Sequence, residues 1–210
     1  MILLLIACSA PETVETPIAG QLAPLEDVNL APEIPVDGDD LAPEGILFAS
    51  GEREDGLYWA HAKANVHVAL PTVWGCLQDV DTVVDRREVD EWTSEPSAEP
   101  GFDHAVVIHN TVHDIITIDY DLLWLHERQG GSEDSPTDVI AVWQKTEGAN
   151  VISLLQGSAV LTAEGDDVTR IELIEHLDAT LRDEETIISY LTDLYDSVAA
   201  CAHGRTLPEY

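Results

Sequence analysis

The second half of this sequence is dominated by segments in which apolar and polar residues alternate, followed by a single long amphipathic helix. Alternation with a period of two is typical of half-buried β-strands. It occurs at residues 104–112, 115–127, 139–144, 151–162 and 168–179. A helix is predicted over residues 183–203, where apolar residues recur at helical spacing up to Gly204. This order of elements predicts an antiparallel sheet that packs against one long helix.

The preceding part of the chain adds two strands and a short helix. Residues 59–70 alternate strictly, with small and aliphatic side chains on one face and Trp59, His61 and Lys63 on the other. A short helix is predicted to begin at Pro71, because proline is tolerated at the first helical position. Another strand is predicted at 84–92, before a turn region at 94–101. Residues 46–210 are therefore expected to form one domain with room for a sizeable core.

The sequence at this point resembles the START-like/Bet v 1-like superfamily, also called SRPBCC or polyketide cyclase-like. The resemblance covers residues 57–203. It is carried by ALPTVWGCLQDV at 69–80, GSAVLTA at 157–163, VTRIEL at 168–173 and IISYL at 187–191. It implies an α+β fold of the helix-grip type, in which a curved antiparallel sheet wraps around the long C-terminal helix over an apolar cavity. None of these segments carries a catalytic residue, so the resemblance transfers a fold and a cavity but no reaction.

The resemblance implies that the cavity holds a lipid or another apolar small molecule, which would be the protein's partner. The aromatic and aliphatic residues expected to line it are Tyr120, Trp124, Trp143, Leu191 and Leu194. Large aromatic residues at strand spacing also fit a filled core, and the chain has five tryptophans with which to fill it. With a filled cavity, the domain would dock other proteins and take no ligand.

Glu175 interrupts the apolar pattern of the last strand. Its register places it on the same face as Ile171, Leu173 and Leu177. Two positions are open for the carboxylate. It points at the cavity, or it lies outside the cavity, either in water at the strand end or paired with an arginine such as Arg170. In the cavity, desolvation would raise its pKa, and it could orient a polar ligand head or act as a general base. A cyclase- or dehydratase-type enzyme is the alternative function, but it needs a second titratable group, and the sequence identifies none.

The sequence shows no other motif for catalysis, metal binding or cofactor binding. His104, His109 and His113 are close in sequence, but only His109 and His113 share a strand face, and no cysteine or HExxH motif joins them. These histidines, with His61 and His67 of the first strand, are predicted to be exposed to solvent. No P-loop, dinucleotide fingerprint or nucleophile elbow is present. We therefore predict a binding protein with no catalytic residue, no metal and no cofactor.

Cys76 and Cys201 form a candidate disulfide in an oxidising compartment. In the fold that the resemblance implies, the first helix packs near the end of the last helix, which brings the two cysteines together. Cys201 also fits the apolar stripe of its own helix, so two buried free cysteines are the alternative.

The third cysteine, Cys8, ends the sequence Leu-Ile-Ala-Cys, which resembles a bacterial lipobox. Residues 1–8 would then be a lipoprotein signal, and acylated Cys8 would anchor a monomeric protein in the bacterial cell envelope, on the periplasmic side or at the cell surface. Ser9 favours the outer membrane. Only seven residues precede Cys8, and no lysine or arginine precedes Arg53. Either the signal therefore begins at a start codon further upstream, or the lipobox is accidental.

Residues 9–45 are predicted to be a disordered tether. They contain six prolines, nine acidic residues and no basic residue, without a sustained strand or helix period. The net charge of the whole chain is −32, of which −23 falls on residues 46–210. Because a surface this acidic repels phosphate groups, nucleic acid is excluded as a partner.

Overall fold

The computed structural model of the protein describes residues 22–35, 42–113, 116–180 and 182–210. Its elements are β1 (Gly45–Glu52), β2 (Tyr58–Val66), α1 (Leu70–Leu77), α2 (Val80–Val83), β3 (Glu91–Pro96), β4 (His104–His113), β5 (Thr117–Gly131), β6 (Pro136–Gly148), β7 (Ile152–Ala163), β8 (Thr169–Ala179) and α3 (Glu184–Ala202). Within these residues, no helix is both long enough and apolar enough to cross a bilayer. Cys8 and the lipobox lie outside the described residues.

The eight strands form one antiparallel sheet in the order β1-β2-β8-β7-β6-β5-β4-β3. Each strand from β3 to β8 pairs with the next one along the chain, and β1 pairs with β2. β2 also pairs with β8, so strands from the beginning and the end of the domain lie side by side in the sheet. Shifts of register in β5, between Asp121 and Leu122 and again after Arg128, mark bulges that bend the strand. The curved sheet and the helix α3 confirm the predicted α+β helix-grip fold.

The predicted elements match the structure from β4 onward. The helix α3 begins after Asp183, whose carboxylate accepts the N–H of Thr186 at 3.2 Å. It ends before Gly204, which has a positive φ of 64°. In these places the local signals for a strand, a cap or a helix end agree with the tertiary fold.

Three features between residues 45 and 96 differ from the predictions. The strand predicted at 59–70 ends already at Val66, and Leu70 begins α1. The strand predicted at 84–92 is wrong: β3 begins only at Glu91, because a turn forms before it, in which the N–H of Val89 donates to the carbonyl of Asp85 at 2.8 Å. The strand β1 has no counterpart among the predictions. It is an edge strand with both faces half-buried, so its apolar residues do not alternate.

The size of the core side chains determines where α3 lies. On β2, Ala60, Ala62 and Ala64 are buried, and these small side chains let α3 pack against β1, β2 and β8. The large side chains Trp124 and Trp143 stand on β5 and β6. The helix therefore lies close to one side of the sheet and leaves space in front of the other.

Two interactions attach the middle and the C-terminal end of α3 to the rest of the domain. The disulfide between Cys76 and Cys201 joins α1 to the end of α3, with the Cα atoms 5.8 Å apart; the structure thus has the pairing that the resemblance implied and not two free cysteines. In addition, the guanidinium of Arg87 donates two hydrogen bonds of 2.7 Å to the buried carboxylate of Asp193. These contacts hold α3 and the turn before β3 in a fixed relation.

Residues 22–35 lie across the convex face of the sheet, so the prediction of a disordered tether is wrong for this part of 9–45. Leu22 is buried in a second apolar cluster with Leu125 of β5. Further along, the side-chain amide of Asn29 donates to the carbonyls of Ala62 and Leu173 at 3.0 and 3.2 Å. The composition of the segment predicts a disordered chain, but the sheet supplies the apolar and polar partners that the segment lacks by itself.

The remainder of the predicted tether, residues 9–21 and 36–41, lies outside the described residues. We refer to residues 22–35 as the convex-face segment.

Candidate functional site

A cavity of about 310 Å³ lies between the concave face of the sheet and the N-terminal half of α3. Its apolar wall includes Ile108, Ile118, Leu122, Ile152, Leu155, Leu177 and Ile187. Its polar groups are those of Asp85, Glu88, Asn110, Tyr120, Glu175, Thr180, Arg182, Thr186 and Tyr190. Alternation along each strand explains the strand residues of this wall, because every second residue faces the concave side. The other polar groups come from the turn after α2, from the residues between β8 and α3, and from α3 itself.

Four of the six predicted ligand-binding residues line this cavity: Tyr120, Trp124, Trp143 and Glu175. The other two, Leu191 and Leu194, are buried but lie further along α3, beyond the end of the cavity. A helix advances about 1.5 Å per residue, so Leu191 stands one turn past Ile187, the last aliphatic residue of α3 in the wall. Leu191 and Leu194 therefore belong to the core and are not placed at the cavity.

The two cavity tryptophans form a stacked pair at one wall. The ring centroids of Trp124 and Trp143 are 4.6 Å apart with an angle of 18° between the planes, and Tyr190 meets Trp143 edge-on at 6.4 Å. The indole of Trp143 lies flat over Gly157, where an added Cβ would be 2.1 Å from the ring. The glycine thus makes room for the indole within the sheet, and the pair is both core and cavity wall.

Glu175 is buried inside the protein and does not lie at a solvent-exposed end of its strand. It is 2% exposed, and its Oε2 has no hydrogen-bond partner among the described residues. Burial, and secondly the charge of Asp85, raise the pKa of Glu175 well above its ordinary value, which favours the protonated carboxyl. The alternative of a pair with Arg170 is wrong, because Arg170 bonds to Glu33 and Glu172.

Asp85 is a second acid of the cavity that the sequence analysis missed. It lies in the turn after α2, and burial raises its pKa to about 6, although the backbone N–H of Arg87 opposes the shift. The only local signal is an aspartate after two valines, in a segment whose pattern predicted a strand. Because the turn is built by contacts with α3, its direction toward the cavity could not be inferred from spacing.

An ion pair lies at the rim of the cavity. Arg182, just before α3, donates to the carboxylate of Glu88 in the turn after α2 at 2.6 Å. Ile116, just before β5, also lines the cavity and is 57% exposed. Arg182 is the one basic residue among the described lining residues, and its positive charge is paired with the carboxylate of Glu88.

A polar cluster outside the cavity holds the convex-face segment. Glu26 contacts His176 of β8 at 2.7 Å and lies 3.5 Å from His61 of β2; Arg53 also bonds to Glu26. His61 and His176 are buried beneath the segment, so the prediction of a solvent-exposed His61 is wrong. Burial lowers the pKa of both histidines, against the raising effect of Glu26.

Three possible metal ligands, those of Glu26, His61 and His176, lie within 4.8 Å of one another in this cluster. However, the N–H of Leu30 donates to Nδ1 of His61 at 2.8 Å, so a neutral imidazole carries its proton on Nε2, the atom that faces Glu26. The guanidinium of Arg53 adds a positive charge beside it. The cluster is therefore suited to fastening the convex-face segment and is poorly suited to a cation.

The predicted pair of strand histidines, His109 and His113, does not form a joint site. Nδ1 of His109 lies 2.8 Å from the carboxylate of Asp121, which raises the pKa of this imidazole. His113 lies 3.6 Å from Glu91 instead. The two histidines thus contact different acids on the exposed side of the sheet.

Comparison with known proteins gives matches in structure only. No protein-family model and no curated protein matches the sequence. The human StarD13 (DLC2) lipid transfer and protein localization domain matches with a TM-score of 0.53 and 12% identity, over 80% of this chain and 86% of that chain. Human StAR-related lipid transfer protein 5 has a TM-score of 0.53 and 14% identity, over 82% and 86%. Human STARD10 has 0.54 and 12%, over 77% and 72%. At such identities the likeness concerns the fold.

Proposed function

From its START-like, Bet v 1-like fold, we propose that this protein binds, and exchanges with its surroundings, one apolar small molecule or lipid. The observation that carries the proposal is the cavity between the sheet and α3. Its volume of about 310 Å³ is at the lower end of the range for small-molecule sites, roughly 300–1,000 Å³. The matched human proteins named for lipid transfer support the same proposal.

The chemistry of the cavity fits an apolar ligand with one polar end. Aliphatic and aromatic side chains form most of the wall, and their burial against a ligand would be favourable at roughly 25 cal/mol per Å² of apolar surface. Among the described polar residues of the wall, Asp85 and Glu175 are the acidic groups without a basic partner, and they are the ones placed to recognise a polar end of the ligand. Burial raises the pKa of Glu175 well above its ordinary value and so favours the uncharged carboxyl, which an apolar chain passes at a lower cost than a carboxylate.

Native mass spectrometry of the full chain tests the proposal. The chain is purified without detergent, with Cys8→Ser so that no acyl chain is attached, and is compared before and after incubation with a lipid extract. We expect added mass that disappears on denaturation and is recovered as a lipid in organic solvent. A bare polypeptide mass in both samples would overturn the proposal and favour a protein-docking domain.

A matched pair of variants on β7 links uptake to this cavity. Leu155 lines the cavity, whereas Leu154 is the adjacent residue and is absent from its wall. Leu155→Trp fills part of the space and is expected to lower uptake, while Leu154→Trp makes the same change on the other face and is expected to preserve it. Equal uptake by two folded variants would place the ligand elsewhere.

We further propose that Cys8 is acylated and holds the protein in a bacterial cell envelope, in the outer membrane, as a monomer. The lipobox residues before Cys8 support the anchor, and Ser9 supports the outer membrane. Metabolic labelling with an alkyne fatty acid, followed by membrane fractionation, is expected to label the chain and to fail for Cys8→Ala. Label on the variant, or an unlabelled parent, would refute the anchor.

A second candidate function is acid–base catalysis on the bound molecule. The observation that favours it is the presence of two carboxyl groups with different environments. Burial favours the protonated form of Glu175, which can donate a proton, while Asp85, with a pKa of about 6, can accept one at pH 7. Incubating the recovered ligand with the chain is expected to leave it unchanged if the protein only binds. Conversion that is lost in Asp85→Asn would establish the enzyme.

A further inference from the structure

The charged groups that face the cavity are not balanced. Glu175 enters from β8, Asp85 and Glu88 enter from the turn after α2, and Arg182 enters from the residues before α3. Arg182 and Glu88 form their own ion pair. The hydroxyl groups of Tyr120 on β5 and Tyr190 on α3, with the Asn110 amide on β4, add only uncharged groups. Asp85 and Glu175 are therefore left without a basic partner in the described wall.

Glu175 shows where a polar group of the ligand would bind. Its side chain is buried, it lines the cavity, and its Oε2 has no hydrogen-bond partner among the described residues. A buried polar atom without a partner is uncommon in proteins, and it identifies a place where something else supplies the hydrogen bond. Because the atom lies at the cavity wall, a bound molecule is the natural source.

We propose that the ligand is an apolar molecule with one amino group, and that its ammonium lies against Glu175 with Asp85 nearby. This inference rests on the proposed binding function and names the class of its ligand. An ammonium supplies both a hydrogen-bond donor for Glu175 and a positive charge for Asp85. An alcohol supplies only the hydrogen bond, and a carboxylate would meet the like charge of Asp85 and bring no positive charge to balance it.

Binding of such an amine is linked to a proton. Burial favours the protonated Glu175 carboxyl in the free protein. When an ammonium binds to that form, it keeps its three protons, the O–H bond of Glu175 breaks and that proton goes to the buffer. The bound state is then a carboxylate–ammonium pair. Affinity therefore rises with pH, by up to about tenfold per pH unit, as long as Glu175 is protonated in the free protein and the amine, with a pKa near 10, stays charged.

Isothermal titration calorimetry of the full chain with Cys8→Ser tests the inference. The probes are decylamine, decanol and decanoate, titrated at about pH 6 and about pH 8 in two buffers with different heats of ionisation. We expect decylamine to bind at least about tenfold more tightly than decanol at the higher pH, with release of close to one proton. Decanoate is expected to bind most weakly of the three.

The variants separate the site from the fold. Glu175→Gln cannot ionise, so it is expected to bind decanol as before, to keep only the part of the decylamine preference that Asp85 supplies, and to release no proton at about pH 8. Glu172→Gln makes the same change on the opposite face of β8 and is the matched control. If Glu175→Gln does not fold, Asp85→Asn serves instead, with an expected loss of about tenfold for decylamine alone.

The outcomes distinguish the inference from the function on which it rests. Equal affinity for decylamine and decanol, or an amine preference as large in Glu175→Gln as in the parent chain, would overturn the amine assignment and leave an apolar-ligand protein. No binding of any of the three probes would overturn the proposed function itself.

Discussion

Replacing Asp85 with asparagine has an effect on stability whose size follows from the structure. Burial raises the pKa of Asp85 from 3.8 to about 6. As pH rises from about 4 to about 6, the unfolded chain loses this proton while the folded protein still holds it. The stabilisation from the protonated group is thus complete below the unfolded pKa and is lost as pH rises through the folded pKa. A shift of about two pKa units corresponds to about 3 kcal/mol.

We therefore expect Asp85→Asn, which cannot ionise, to gain up to about 3 kcal/mol in unfolding free energy over the parent chain between about pH 4 and about pH 7. Urea unfolding followed by tryptophan fluorescence at several pH values measures this difference. Asp166→Asn, in the exposed turn between β7 and β8, removes the same charge without burial and is the control. A difference between Asp85→Asn and the parent that stays constant with pH would refute the burial of an ionisable group at this position.

Three further changes test other parts of the structure. Replacing Cys76 and Cys201 together with serine opens a bridge across 125 residues, and we expect a loss of up to about 5 kcal/mol in unfolding free energy; an unchanged urea midpoint would contradict the pairing. Gly157→Ala places a methyl group 2.1 Å from the neighbouring indole and is expected to cost about 1–3 kcal/mol. Gly75→Ala, with nothing within 4 Å of the new Cβ, is its control, and equal stability of the two variants would argue against the close contact. Glu26→Gln weakens the cluster that holds the convex-face segment, so hydrogen exchange there is expected to increase while that of α3 stays constant; unchanged exchange in the segment would show that the cluster does not fasten it.

Local sequence signals were sufficient for most of the sheet and for α3. A period of two in β4 to β8 and a helical period bounded by Asp183 and Gly204 depend on neighbouring residues alone, so they can be read without knowing the partners. The same alternation placed Tyr120, Trp124 and Glu175 on the concave face, which is why these three were found at the cavity.

The errors have a common physical origin in long-range contacts. The turn that carries Asp85 depends on the ion pair of Arg87 with Asp193, more than a hundred residues away. The convex-face segment is ordered by partners on β2, β5, β7 and β8, although its own composition predicts disorder. Leu191 has the same spacing as the cavity residues of α3, but the cavity ends before it.

The sequence by itself determined the order of elements from β4 to α3, the acidic character of the protein and the side chains that these strands offer to the concave face, because each of these is a property of adjacent residues. Only the tertiary structure decided that the cavity is open, that Asp85 joins Glu175 in it, and that His61 is covered by the convex-face segment. Burial and unpaired charge depend on which distant residues meet. They arise when the chain folds, and no spacing along the chain encodes them.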